Sequence, residues 1–205
     1  MNIYGIIAAA GSSRSMGQFK PLLSVNGSSM LETAVDGMLE AGLKLAIVVT
    51  GHNAEEVEKI FVQKADKRVV LRFNPVFDSC ERFDSMKIGL RAAMARLADA
   101  MFILPGDMPM VSPHTYEKLS AYMQATKAGV VCPEVNEKIC FPYLIHKSCL
   151  WRILDYEGGD ELPGALRLVS DQTSLLQIND PGCLLDADTP ESYQQILEYA
   201  KTLRA

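Results

Sequence analysis

Apolar residues recur at two different spacings along the chain. Spacings of three and four positions, as on one face of a helix, predict helices over 30–41, 54–61, 84–97, 113–127 and 190–203. Short apolar runs between them predict buried strands: one that starts within three residues of Met1, and others at 45–50, 69–73 and 100–104. Strands that alternate with helices form βαβ units, so the pattern predicts an α/β fold with a mostly parallel sheet.

The alternation becomes less regular after Gly129. Runs at 130–133 and 139–145 look like strands joined by a turn at 136–137, which predicts a small antiparallel insertion covering the substrate side of the sheet. Thr189 and Pro190 then form a strong start signal for the last helix. Since the 205 residues contain no linker rich in Pro, Gly or Ser, we expect a single domain over 1–205.

Composition narrows the class of ligand. The net charge is −5 with acids and bases interspersed, so we expect neither a nucleic acid nor a membrane surface as partner, and a small molecule instead. Five cysteines without C-x-x-C spacing argue against a disulfide framework or a zinc site and favour a reduced compartment. No apolar run reaches about 18 residues and no leader pattern precedes the first strand, so we expect a soluble, cytoplasmic protein.

The first strand leads into a loop suited to holding phosphate. Its apolar residues are followed by the very small residues 11–13 and then by the cations Arg14 and Lys20. Small residues let backbone N–H groups approach phosphate oxygens, and the cations can neutralise their charge. The loop matches neither G-x-x-x-x-G-K-[ST] nor G-x-G-x-x-G, and no acid ends the second strand, which disfavours a dinucleotide oxidoreductase. An ordinary strand-to-loop connection with two surface cations is the alternative.

Acidic residues suited to a divalent cation occur in two places. Asp107 lies on a tight turn, Pro-Gly-Asp-Met-Pro at 105–109, just past a predicted strand, where ligands of open α/β sheets bind. Mg²⁺ takes one or two protein carboxylates together with substrate phosphates, so a second acid is expected. Residues 186–193, Asp-Ala-Asp-Thr-Pro-Glu-Ser-Tyr, resemble the D-I-D-T-P-E-D-Y segment of a nucleotidyltransferase family, which implies that the second acid is Asp186 or Asp188. In an extended stretch these two share one face, and Asp188 is the favoured second ligand. The alternatives are a turn-forming role for Asp107 and a helix-capping role for Asp188.

The segment at 8–23, Ala-Ala-Ala-Gly-Ser-Ser-Arg-Ser-Met-Gly-Gln-Phe-Lys-Pro-Leu-Leu, resembles the L-A-A-G-x-S-x-R-M-G-x-x-K-P-L-L signature of MobA-like nucleotidyltransferases, particularly the molybdenum cofactor cytidylyltransferases. The resemblance implies a three-layer αβα, Rossmann-like nucleotidyltransferase domain in which Lys20, Asp107 and Arg14 are catalytic. The nucleotide-binding residues that it implies are Ala9, Ala10, Gly11, Ser12, Ser13, Arg14, Lys20, Asn74, Ser85 and Asp107. Ser15 stands where the family has Arg, and Ala10 in place of Gly is similar to the form that selects CTP over GTP.

Two further segments are similar to the same family. Residues 105–111 resemble its G-D-[MQ]-P-x-[VL] motif, and 186–193 resemble D-I-D-T-P-E-D-Y, which implies Mg²⁺ or Mn²⁺ held by Asp107, Asp188 and Asp186. Residues 81–90 resemble G-M-x-S-S-[IL]-[KR]-A-G-L, although Glu81 and Arg82 replace Gly-Met and make this loop bulkier and charged.

The acceptor side departs most from the family. Cys-Phe-Pro-Tyr at 140–143 stands in place of G-H-P-V, and 159–167 resemble a lengthened G-D-x-G-A-R, which implies acceptor contacts from Phe141, Pro142, Asp160 and Arg167. For Phe141 an apolar core position is the alternative to stacking on a ring system. The resemblance implies transfer of CMP from CTP to molybdopterin, with a molybdoenzyme or its chaperone as a further partner. Another phosphorylated small acceptor, or a nucleotide-binding accessory protein without turnover, remains open.

Overall fold

The computed structural model describes residues 1–12 and 17–203. Its strands, in chain order, are β1 (Ile3–Ala9), β2 (Ser24–Val25), β3 (Ser28–Ser29), β4 (Leu45–Thr50), β5 (Val69–Phe73), β6 (Ala100–Pro105), β7 (Val130–Val135), β8 (Lys138–Ile139), β9 (Tyr143–His146) and β10 (Thr173–Gln177). Its α-helices are α1 (Met30–Glu40), α2 (Ala54–Lys64), α3 (Arg82–Met94), α4 (Pro113–Thr126), α5 (Leu150–Leu154), α6 (Glu161–Arg167) and α7 (Pro190–Thr202).

Within the described ranges, the main sheet has eight strands. Seven follow the order β10-β7-β9-β6-β1-β4-β5, and β8 also pairs with β7. Strand β1 pairs in parallel with β4 and β6, while β9 runs antiparallel between β6 and β7. The predicted α/β class, with a mostly parallel sheet and a small antiparallel part, is therefore confirmed.

Alternation along β1 separates the two halves of the core. Ile3 and Ile7 face a cluster with residues of α1, α2 and α4, whereas Ile6 faces a second cluster with residues of α3, α5 and α6. Because a central strand is covered on both sides, its residues form a nearly continuous apolar run. The sheet thus lies between two helical layers.

Three parallel strands end at the same edge. In the register of the sheet, Ala9 lies beside Thr50 of β4, and Ala8 lies beside Pro105 of β6. Gly51 follows β4 where a Cβ atom would lie 2.7 Å from the carbonyl oxygen of Ala10, so only glycine fits there. This edge collects the loops that follow β1, β4 and β6.

Helix α7 packs away from the main sheet. A third apolar cluster joins Ile196 and Ala200 of α7 to Val25 of the β2–β3 hairpin and to Met110 and Ala187. The segment that precedes α7 is thereby held against the loop that follows β6.

Several predicted elements were wrong in extent: α2 continues to Lys64 instead of ending at Phe61, and β7 continues to Val135 instead of ending at Pro133. The strand expected at 139–145 is split into β8 and β9, because Pro142 lacks the N–H that would continue the ladder. The helix expected at 84–97 runs from Arg82 to Met94: the backbone N–H of Glu81 donates to the Asp84 carboxylate at 3.1 Å, which places the start of the helix earlier. The β2–β3 hairpin, α5, α6 and β10 were not predicted. Nowhere in residues 1–12 and 17–203 is there a helix long and apolar enough to cross a membrane.

Candidate active site

Two adjoining cavities open at the carboxyl edge of the sheet. The loop cavity is lined by residues 8–11, Lys20, Ser85 and Asp107, among others. The carboxylate cavity is lined by Asp107, Asp186, Asp188, Phe141 and others. Asp107 therefore borders both, which brings the glycine-containing loop and the two acidic segments to one place.

Asp107 is held in this position by the backbone around it. The N–H of Gly106 donates to the carbonyl oxygen of Ala8 at 2.9 Å, which ties the turn to the end of β1. The carbonyl oxygen of Asp107 itself accepts from the N–H of Ala187 at 3.1 Å. Ala187 is fully buried, and the residues before and after it, Asp186 and Asp188, both line the carboxylate cavity.

Lys20 lies between two of the acids. Its Nζ is 2.8 Å from Oδ1 of Asp188 and 3.6 Å from Oδ2 of Asp107. Lys20 and Asp107 are both buried, whereas the Asp188 side chain is 59 % exposed. The ammonium thus links the loop after β1 to both acidic segments, although these residues are far apart in the chain.

Burial, followed in importance by the nearby charges of Asp188 and Asp107, raises the pKa of Asp186 above its ordinary value. Asp107, Asp186 and Asp188 contribute carboxylate oxygens to this region, and the cations of Lys20, Arg82 and Lys138 lie around them. Oxygen donors of this kind suit Mg²⁺ or Mn²⁺.

In residues 1–12 and 17–203, the carboxylates of this region do not form a complete set of metal ligands. Among the described residues, no three His, Cys, Asp or Glu side chains are arranged to hold one metal ion. Mg²⁺ needs only one or two protein carboxylates when substrate phosphates supply the remaining oxygens. The donor set therefore fits a cation that enters together with a nucleotide.

The predicted nucleotide-binding residues are distributed as follows. Ala9, Ala10 and Gly11 line the loop cavity, while Ser12 is outside its lining. A Cβ atom on Gly11 would meet nothing within 4 Å, so the space beside this backbone is open. Ser13 and Arg14 lie outside the described residues.

Asn74 and Ser85 are brought together, but in different roles. The Nδ2 of Asn74 donates to Oγ of Ser85 at 3.0 Å, and its Oδ1 accepts from the N–H of Val76 at 3.0 Å. Asn74 is completely buried, so Ser85 lines the loop cavity and Asn74 orients it.

The predicted acceptor residues are not gathered at one point. Phe141 stacks on Tyr143 with ring centroids 4.4 Å apart, and both rings line the carboxylate cavity and a neighbouring outer cavity. Asp160 lines the outer cavity and forms an ion pair with Arg167, whose side chain is outside these linings. Pro142 is buried and lines none of the three cavities.

Sequence reasoning noted Arg82 only as a replacement for a family Met. In the structure it lines all three cavities. Tyr143 also lines the carboxylate cavity and was not proposed as a site residue. Alternation in the strand predicted over 139–145 would have placed the side chains of residues 141 and 143 on one face.

Comparison with known proteins identifies the family. A family model described as the MobA-like NTP transferase domain matches residues 5–175. The molybdenum cofactor cytidylyltransferase of Escherichia coli is 25 % identical to the chain over 92 % of each protein. A probable molybdenum cofactor guanylyltransferase of Natranaerobius thermophilus is 23 % identical, over 97 % of this chain and 96 % of the relative.

Solved structures share the fold. A nucleotidyl transferase from Methanothermobacter superimposes with a TM-score of 0.81 at 24 % identity, over 98 % of both chains. A manganese complex of Rv0371C from Mycobacterium tuberculosis has a TM-score of 0.70 at 22 % identity, over 97 % of this chain and 99 % of the other. On the family match and the fold together, the chain belongs to the MobA-like NTP transferase domain family and is a nucleotidyltransferase.

Proposed function

We propose that this nucleotidyltransferase transfers CMP from CTP to the phosphate of molybdopterin and releases pyrophosphate, with Mg²⁺ or Mn²⁺ as cofactor. The observation that carries the proposal is the position of Asp107 between the loop cavity and the carboxylate cavity. A carboxylate at this position is next to a nucleotide bound in the loop cavity and next to an acceptor bound in the carboxylate cavity, so it can hold a divalent cation between them. The molybdenum cofactor relatives support the acceptor, and the manganese complex of a structural relative supports the cofactor.

The loop cavity is the proposed nucleotide site. Backbone N–H groups near Gly11 are accessible to phosphate oxygens, and Lys20 and Arg14 supply positive charge. Ala10 is nearly fully buried beside this cavity, and its methyl group takes up room that Gly would leave free. A smaller pyrimidine base is therefore the proposed preference.

Nucleotidyl transfer requires alignment of two anions and neutralisation of their charge, so no protein nucleophile is needed. Lys20 holds Asp107 and Asp188 in place and lowers the repulsion between them. Ser85, oriented by Asn74, offers a hydroxyl to the nucleotide. When bound, the divalent cation would neutralise charge on the transferred phosphoryl oxygens.

The aromatic pair favours a second candidate acceptor class. Phe141 and Tyr143 give the carboxylate cavity a flat apolar wall in place of the G-H-P element of the family. Such a wall also suits a different ring-bearing phosphorylated acceptor, and the transfer chemistry would be unchanged.

Pyrophosphate release tests the proposal. The purified chain is incubated with CTP, GTP, ATP or UTP, each with and without molybdopterin, in the presence of Mg²⁺ or Mn²⁺. We expect release from CTP with molybdopterin. Asp107→Asn should lower kcat by about 1,000-fold, since it removes a charge that acts in the transition state. Asp155→Asn, an exposed aspartate away from the cavities, is the matched control.

The outcomes separate the alternatives. If pyrophosphate is released only with a different acceptor, that acceptor takes the place of molybdopterin in the proposal and the transfer reaction stays the same. Full activity of Asp107→Asn with Mg²⁺ would remove the mechanism. No release from any combination would contradict the proposed function.

A further inference from the structure

Among the described residues, three line both the loop cavity and the carboxylate cavity: Arg82, Pro105 and Asp107. The Pro105 side chain carries no polar group. The charged side chains shared by the two cavities are therefore one carboxylate and one guanidinium. A group that moves from a nucleotide in one cavity to an acceptor in the other must pass this pair.

Arg82 is the first residue of α3 and its side chain is exposed. Within the described part of the chain, its guanidinium forms no ion pair or hydrogen bond. Lys20, by contrast, is already engaged by Asp107 and Asp188. The five N–H donors of Arg82 are thus open to substrate oxygens.

Phosphate chemistry matches these donors. Guanidinium groups bind phosphate oxygens in a bidentate manner and keep their charge at any working pH. During transfer, an acceptor phosphate dianion must approach the α-phosphate of the nucleotide, and the two negative charges repel each other. A cation at their meeting point stabilises the transition state more than either separate substrate.

We propose that Arg82 is a catalytic residue that contacts the transferred α-phosphoryl group and the attacking acceptor phosphate. The role rests on the proposed function. An acceptor phosphate oxygen forms a bond to the α-phosphorus, and the bond from that phosphorus to the pyrophosphate oxygen breaks. The electron pair leaves with pyrophosphate, nothing is oxidised or reduced, and no proton transfer is needed.

Steady-state kinetics of Arg82→Met and Arg82→Lys test this role. We expect Arg82→Met to lower kcat by about 100- to 1,000-fold, as removal of one transition-state donor does in other enzymes. Arg82→Lys should recover part of the loss, because lysine keeps the positive charge but cannot make the bidentate contact of a guanidinium group. The dissociation constant of CTP with Mg²⁺, measured without acceptor, should stay within about threefold of the wild-type value.

Arg91→Met is the matched control, since Arg91 is an exposed arginine on the same helix that lines none of the three cavities. Melting temperatures of all variants show whether the fold is kept. Unchanged kcat in Arg82→Met, with an active wild type, would overturn the role of Arg82 alone. A weaker CTP affinity with unchanged kcat would also overturn it. The same holds if kcat falls only in variants whose melting temperature falls as well.

A wild-type chain that releases no pyrophosphate with any nucleotide and acceptor would overturn the proposed function, and the role of Arg82 with it. The two failures are therefore distinguishable.

Discussion

Replacement of Lys20 by Met tests how strongly the ammonium holds the acidic segments together. At 3.6 Å and an effective dielectric constant of about 20, the attraction between Lys20 and Asp107 is about 5 kcal/mol before desolvation is subtracted. Removing one member of a buried pair costs about 3–5 kcal/mol, because the remaining charge is left without compensation. Asp188 is largely exposed and regains water, so we take the lower end, about 3 kcal/mol.

For a chain of this length, about 3 kcal/mol corresponds to a melting temperature lower by about 6–12 °C. Urea unfolding and thermal melting without divalent cations measure the loss. Asp107→Asn made in the Lys20→Met background should recover about 1–2 kcal/mol, since it removes the uncompensated charge.

Lys147→Met is the control, because its ammonium pairs with Asp99 at 2.7 Å while remaining 56 % exposed. Such a surface pair contributes less than about 1 kcal/mol. If Lys20→Met were no more destabilising than Lys147→Met, or if the double variant were as unstable as the sum of its parts, the argument would be refuted.

Two further predictions concern the edge of the sheet and the pH dependence of stability. Gly51→Ala should lower the free energy of unfolding by about 1–3 kcal/mol, because its Cβ would lie 2.5 Å from Phe77; Gly159→Ala, which meets nothing within 4 Å, should have little effect in the same urea titration. The hydrogen bond from the Lys147 ammonium, followed in importance by that from the backbone N–H of Asn2, lowers the pKa of Asp99 from an ordinary 3.8 to about 2. Ionised Asp99 therefore stabilises the fold above pH 3.8, and this stabilisation is lost as the pH falls through about 2. Asp99→Asn should therefore unfold at a lower urea concentration than the wild type at pH 6, and this difference should become much smaller near pH 2, where native Asp99 is about half protonated. An equal difference at both pH values would contradict this.

The fold class of this chain could be predicted from local sequence pattern. Apolar runs and helical spacing each involve residues a few positions apart, and the resulting α/β alternation was predicted correctly. The prediction was wrong where a single residue interrupts the pattern, as Pro142 does between β8 and β9. It was also wrong at the start of α3, where the Asp84 side chain bonds back to Glu81.

Only some features of the candidate active site could be predicted from the sequence. The small residues after β1 and the Gly-Asp turn after β6 were recognisable, because both follow directly from where a strand ends. Nothing in the spacing shows that Asn74 is buried behind Ser85, or that Asp160 is paired with Arg167. The Asn74–Ser85 contact depends on how the loop after β5 packs against α3. Asp160 and Arg167 lie at the two ends of α6, and their contact depends on the side-chain conformations at that helix.

The sequence by itself determined the alternating α/β order, the small-residue loop and the acids at strand ends, because these features depend on neighbours in the chain. Only the tertiary structure decided that Lys20 lies between Asp107 and Asp188, and that Arg82 and Asp107 share the border of two cavities. Lys20 and Asp188 are 168 positions apart in sequence, so their 2.8 Å contact arises from the packing of α7 and the β2–β3 hairpin and not from local pattern.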